Sequence, residues 1–200
     1  MWHLGSTAND EHRLAETWRA VQPFPHLVFD DLVAAKALPE LFAILEEEPV
    51  DRYEGDIFAF EATAPEPRTE EFRSLRDAFG RALAPPLSRI TARRVSRADM
   101  RAYAYRAGHY LLPHSDHQEG LGRALAFAYY LPSPEPPEGG ELELFRCRLA
   151  HGELVSTETA RLIEPRPNRL GVFDVSDVSL HQVREVLGGL RISLAGWFYP

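Results

Sequence analysis

The sequence predicts an antiparallel β barrel of the jelly-roll kind, buttressed by helices on its N-terminal side, and three observations carry that expectation. Apolar residues in the first half recur at helix spacing, from about residue 98 onward the pattern changes to short strand-like runs, and Gly, Pro and Asn punctuate those runs. Strands that follow helices in this way fit one layered β fold with helical support. At 200 residues, with 44% hydrophobic and 26% charged side chains, the chain has the composition of a globular domain with one sizeable core.

Residues 1–22 read as a loosely docked tail, and residues 23–200 as one domain. In DDLVAAKALPELFAILEEE, Asp30 and Asp31 stand where a helix N-cap would sit, ahead of Leu32, Val33, Leu38, Leu41, Phe42 and Leu45 at helical intervals. Pro39 is expected to divide this segment. Residues 51–66 are aromatic, acidic and irregular, which suits a surface hairpin or a lid. A second helix is written in TEEFRSLRDAFGRALA, with Phe72, Leu75, Phe79 and Leu83 on one stripe, and should end at Pro85 and Pro86. Helical support thus covers about 30–92. The barrel, about 98–200, is read from RAYAYR, RALAFAYYL, ELELF, RLIEP, RLGVF, SLHQVREV and LRISLAGWFY. Alternation in ELELF slips phase at Phe145, so a bulge or a strand end is expected there.

Several function classes are disfavoured. No run of about 18 apolar residues exists and the N-terminus lacks a signal-peptide pattern, so no membrane partner and a cytoplasmic location are expected. Cys147 is the single cysteine, which excludes an internal disulfide and a cysteine-rich zinc site. A net charge of −8 argues against direct nucleic-acid binding. Residues 81–106 are locally basic, seven bases to one acid; a solvated face is the simpler reading and a docking surface for an acidic partner the other.

Chemistry concentrates in LLPHSDH. On an extended chain, side chains at i and i+2 leave the same face, so His114 and Asp116 can address one atom while His117 projects to the other side. A third ligand is best sought at His181, in a strand-like run 67 residues downstream. Two imidazoles and a carboxylate form the facial triad that holds non-haem Fe(II) with open positions opposite. Arg191 and Ser193 follow in LRISLAGWFY; a guanidinium pointing into a barrel calls for an anion, and its planar fork matches a carboxylate.

Taken together, YxxGxxLLPHSD, RALAFAYYL, PEGGELELF, NRLGVFDVSDVSLHQV and RISLAGWF resemble the prolyl 4-hydroxylase type of Fe(II)- and 2-oxoglutarate-dependent dioxygenases. Within it, the sequence is most similar to the branch that hydroxylates a proline in a small-subunit ribosomal protein, and the likeness runs from about Pro23 onward. The resemblance implies a double-stranded β-helix, or cupin-like jelly roll. It implies Fe(II) on His114, Asp116 and His181, and Arg191 clamping the distal carboxylate of 2-oxoglutarate with help from Ser193. Tyr105 and Tyr130 would line the cosubstrate pocket, Trp197 would pack beside the metal, and Arg123 would face substrate. O2 is the other cosubstrate and ascorbate an expected stimulant. The implied reaction converts 2-oxoglutarate to succinate while hydroxylating a C–H bond, most simply of a prolyl residue in a proline-containing protein or peptide. A small-molecule amino acid substrate is the enzymatic alternative, and an inert metal-binding scaffold the non-enzymatic one. Members of that branch often carry a second, degenerate barrel; with this sequence ending at Pro200, a compact single-domain version is expected.

Overall fold

The computed structural model describes Trp2, Leu4 and residues 11–200. Three helices, α1 (Glu11–Ala20), α2 (Leu38–Glu47) and α3 (Glu70–Thr91), accompany fourteen strands. These are β1 (His26–Phe29), β2 (Val50–Gly55), β3 (Phe58–Thr63), β4 (Arg97–Ala98), β5 (Arg101–Arg106), β6 (Tyr110–His114) and β7 (Leu125–Leu131). After them come β8 (Glu138–Gly139), β9 (Leu142–Ala150), β10 (Glu153–Ile163), β11 (Leu170–Asp174), β12 (His181–Val183), β13 (Val186–Gly188) and β14 (Leu190–Tyr199). The architecture is mainly β, as the sequence predicts.

One curled antiparallel sheet runs β1-β11-β7-β14-β5-β3-β6-β12-β9-β10, with β2 on β3 and β4 on β14. The curl passes through β3. Its last residues pair with β5, at Glu61 with Ala104 and Ala62 with Tyr103, while its first pair with β6, at Phe58 with Leu111 and Ala59 with Tyr110. One strand therefore joins the two halves of the jelly roll.

Period-two alternation decides what each half does. Along β7, Leu125, Phe127, Tyr129 and Leu131 pack with the buried stripe of α3, including Phe72, Phe79, Leu83 and Leu87. The intervening Ala126, Ala128 and Tyr130 face the barrel interior with Phe173, Leu142 and Leu144. On β14, Leu194 and Phe198 join the helical side, whereas Ala195 and Trp197 pack on the interior cluster. Small residues meet across the ladder, Ala128 beside Ala195 and Gly171 beside Ala128, and that leaves the interior hollow.

Three local expectations are corrected. From residue 11 the tail is the helix α1, anchored by the buried Trp18; Trp2 and Leu4 are buried too, and the remaining tail residues lie outside the described ones. The first helical segment begins only at Leu38, after a 3-10 turn Ala35–Ala37; Pro39 sits in the first turn, where a missing N–H is harmless, and Asp30 pairs with Arg169 instead of capping. α3 continues through Pro85 and Pro86 to Thr91. Each proline removes a backbone donor, but the next turn is held by buried Leu87 and Ile90 and by Ser88, which bonds both the N–H and the carbonyl of Val95. Of the two outcomes expected at Phe145, the bulge is the one found: β9 continues, and the register shifts between Phe145 and Leu144 because β10 carries an extra residue, Ala160, opposite them.

Residues 51–66 form the β2–β3 hairpin and the chain just beyond it, so most of this segment belongs to the main sheet. In the basic block, Arg89 pairs with Glu11, Arg93 with Asp174 and Arg106 with Glu61. Among the described residues no helix is long and apolar enough to cross a membrane.

Candidate active site

His114 ends β6, Asp116 lies two residues on, and His181 begins β12, directly across the ladder from His114. Cross-strand pairing thus places the two imidazoles side by side, with ring centroids 4.3 Å apart. Asp116 completes the group: its Oδ1 is 3.8 Å from His114 Nε2 and its Oδ2 is 3.5 Å from His181 Nε2. One donor atom from each residue lies within 4.8 Å of the others, so a single cation fits among them.

Backbone carbonyls set the tautomers. His114 Nδ1 lies 2.8 Å from the carbonyl of Leu112, and His181 Nδ1 lies 2.9 Å from that of Ser179. With Nδ1–H donating, each Nε2 presents its lone pair to the shared centre, as metal-binding imidazoles do. Burial pushes the His181 pKa down to about 4, against the opposing pull of the Asp116 charge, so the ring is neutral at neutral pH. Asp116, only 8% exposed, has no Lys or Arg ion partner among the described residues. A buried carboxylate set between two imidazole Nε2 atoms is poorly compensated until a cation joins it.

The three side chains line a cavity of about 310 Å³ inside the barrel. Its walls include Phe58, Phe60, Leu111 and Val183, while Ala126, Ala128 and Ala195 leave the space. Arg191, 3% exposed, enters the same cavity from β14. It donates to Ser193 Oγ at 3.1 Å and lies against two rings, 4.8 Å from the centroid of Tyr105 and 5.0 Å from that of Tyr130. Among the described residues, neither its Nε nor the Tyr130 hydroxyl has a hydrogen-bond partner. Burial raises both phenol pKa values, so each tyrosine stays neutral and able to donate. Arg191 is therefore a buried cation with no carboxylate beside it among the described residues, surrounded by unused donors. That chemistry fits a dicarboxylate reaching from the metal centre.

Trp197 and Arg123 line the cavity as well, with the Arg123 guanidinium 3.5 Å from the Trp197 ring centroid. Arg123 Nη1 donates to the carbonyl of Asp116 at 3.2 Å, whereas Arg123 Nε and Trp197 Nε1 are buried without partners among the described residues. His117 points elsewhere, to Asp177 at 3.3 Å. The structure thus brings to one cavity His114, Asp116, His181, Arg191, Ser193, Tyr105, Trp197 and Arg123; Tyr130 stands behind, against Arg191. Sequence reading missed Tyr103, Phe58 and Phe60. Tyr103 was recoverable, since it precedes Tyr105 by two residues on one strand.

A jelly roll carrying a His-Asp-His group and an anion-seeking arginine in one hollow defines a mononuclear-metal oxygenase fold. The chain belongs to the 2OG-Fe(II) oxygenase superfamily, whose family model matches residues 100–199, and the enzymes of this family use Fe(II), 2-oxoglutarate and O2. Among characterised relatives, Prolyl 3-hydroxylase OGFOD1 of Xenopus laevis is 32% identical over 186 residues, 88% of this chain and 35% of that protein. The same-named mouse protein is 39% identical over 104 residues, 50% of this chain and 18% of that protein. This chain spans about a third or less of the length of those relatives. A Pseudomonas putida prolyl-4-hydroxylase superposes with a TM-score of 0.68 at 22% identity, covering 93% of this chain and 98% of its own. A Trichoplax adhaerens prolyl hydroxylase, solved with a hypoxia inducible factor peptide fragment, gives 0.69 at 14% identity, covering 96% and 90%. These likenesses establish the fold.

Proposed function

We propose that the chain is a prolyl hydroxylase acting on a polypeptide, with one catalytic domain over residues 23–200. His114, Asp116 and His181 bind Fe(II), and Arg191, with Ser193 and the Tyr130 hydroxyl, takes the distal carboxylate of 2-oxoglutarate beside Tyr105. When bound, the iron supplies the oxidising chemistry by activating O2 with electrons from 2-oxoglutarate. The protein's share is positional. The backbone bonds to both Nδ1 atoms hold the imidazoles ready, the Arg191 fork fixes the cosubstrate's far end, and the apolar wall of Phe58, Phe60, Leu111 and Val183 excludes water. Trp197 Nε1 and Arg123 Nε, which have no hydrogen-bond partner among the described residues, are placed to donate to main-chain carbonyls of the substrate.

The single observation that carries this reading is that the triad and an unpaired, buried guanidinium open into one cavity. A polypeptide substrate is supported by the prolyl hydroxylases among its relatives, and the name of those relatives favours C3 of the ring. A cytoplasmic location accords with the lack of any membrane-crossing helix among the described residues. The test is aerobic incubation with Fe(II), 2-oxoglutarate, ascorbate and either proline-containing peptides or free amino acids, read by mass. Gain of one oxygen on a peptide proline, matched by succinate, is expected. Gain only on free amino acids would replace the polypeptide reading, and absence of succinate under all conditions would overturn the catalytic one.

A further inference from the structure

Between β4 and β5 the chain crosses close over β14, and Asp99 lies at the crossing. Its Oδ1 accepts the backbone N–H of Trp197 at 2.7 Å, its Oδ2 accepts the Tyr199 hydroxyl at 2.7 Å, and its own N–H donates to the Trp197 carbonyl at 3.0 Å. The approach is possible only because residue 196 is glycine. A Cβ there would stand 2.6 Å from the Asp99 carbonyl oxygen and 2.7 Å from Oδ1. Asp99 therefore grips β14 on both sides of the residue whose indole lines the cavity. Arg123 stacks on that indole and reaches the main chain of Asp116. Arg97 covers the Tyr199 ring at 4.1 Å, so the tyrosine that holds Asp99 is itself pinned.

We propose that Asp99, through its fit against Gly196, is a positioning residue that fixes the Trp197–Arg123 stack at the substrate side of the cavity. It touches neither cosubstrate nor metal ligand. The claim rests on the reading above that Trp197 and Arg123 face the substrate. A single carboxylate fixes the strand at 197 and 199, and the stack bridges from there to the loop carrying Asp116. Losing that carboxylate frees the indole to tilt, while the triad and Arg191 keep their own supports.

The test compares Asp99→Ala, Asp99→Asn and Gly196→Ala on the Fe(II)-loaded protein. Asp99→Asn keeps an acceptor for Trp197 N–H and should stay within about twofold of the wild type. Asp99→Ala and Gly196→Ala should raise KM for the peptide about tenfold and release more succinate per hydroxylated product. KM for 2-oxoglutarate and the rate of succinate formation without peptide should not move. A second readout needs no turnover: in the zinc-substituted, ¹⁵N-labelled protein, the Trp197 indole N–H resonance should shift or broaden in Asp99→Ala and not in Asp99→Asn. An unmoved resonance would overturn the proposal even if no peptide is ever found to react, which keeps it separable from failure of the polypeptide reading. Equal loss of peptide, cosubstrate and metal affinity would reduce Asp99 to a general stability role and overturn it as well.

Discussion

The same strands carry two unlike faces, and the contrast between them explains the molecule. Toward the helices, β7 and β14 present Phe127, Tyr129, Leu194 and Phe198, packed against α3 with every large side chain buried. Phe79 alone meets Trp2, Phe127 and Phe198, with ring centroids 5.0, 4.7 and 5.6 Å away. Toward the interior, the alternate positions are Ala126, Ala128, Arg191, Ser193, Ala195 and Trp197, which leave space and unused donors. One face gains stability through dense apolar burial, so the other can hold a poorly compensated carboxylate and a buried cation. Stability and chemistry are separated by a single residue of register.

That separation can be broken from either side. The largest expected effect is on the interior face: Asp116→Ala should weaken metal binding by more than about a hundredfold and abolish succinate formation, with the melting temperature of the metal-free protein unchanged or higher. Metal titration alongside thermal unfolding checks both halves. Arg191→Met should follow the same pattern more gently, raising the Kd for 2-oxoglutarate by about ten- to a hundredfold, since charge-assisted bonds of about 1.5–3 kcal/mol are lost. Calorimetric titration with 2-oxoglutarate is the measurement, and intact stability of this variant is part of the expectation.

On the helical face the order should invert. Phe79→Ala, at a fully buried position, should lose about 3–5 kcal/mol of stability in urea unfolding, while 2-oxoglutarate affinity per folded molecule stays within about twofold. The effect spread over the widest range of conditions concerns pH. The folded pKa of His181 lies below its unfolded value of about 6.5, so the unfolded chain takes up the proton first. The metal-free protein should lose stability as pH falls from about 6.5 to about 4, and no further through this group below that. His181→Gln should flatten that part of the profile, as read by thermal unfolding at stepped pH.

Much of this was legible in the sequence because strands write their faces in alternation. RALAFAYYL and LRISLAGWFY announce both faces of β7 and β14, and Pro113 with the His-x-Asp spacing announces an extended chain at the triad. What stayed hidden depends on partners distant in sequence. Pro85 and Pro86 signal a helix end locally, yet burial of Leu87 and Ile90 carries α3 past them. The bulge opposite Phe145 belongs to Ala160 on β10, and its cause cannot be read from β9 alone. Trp18 looked like part of a tail because α1 is defined by what it packs on; the hairpin around Phe58 and Phe60 was legible, but not that β3 is built into the main sheet between β5 and β6. Asp99 carried no signal beyond a lone acid in a basic stretch.

The divided ladder of β3 also sets a limit on remodelling this enzyme. Exchanging the whole 50–63 hairpin for one from another oxygenase would unpick the seam between the two halves of the barrel, because Glu61 and Ala62 belong to one half and Phe58 and Ala59 to the other. A graft meant to retune the rim of the cavity should replace only the tip, Gly55 to Ile57, and keep Phe58 onward as it is.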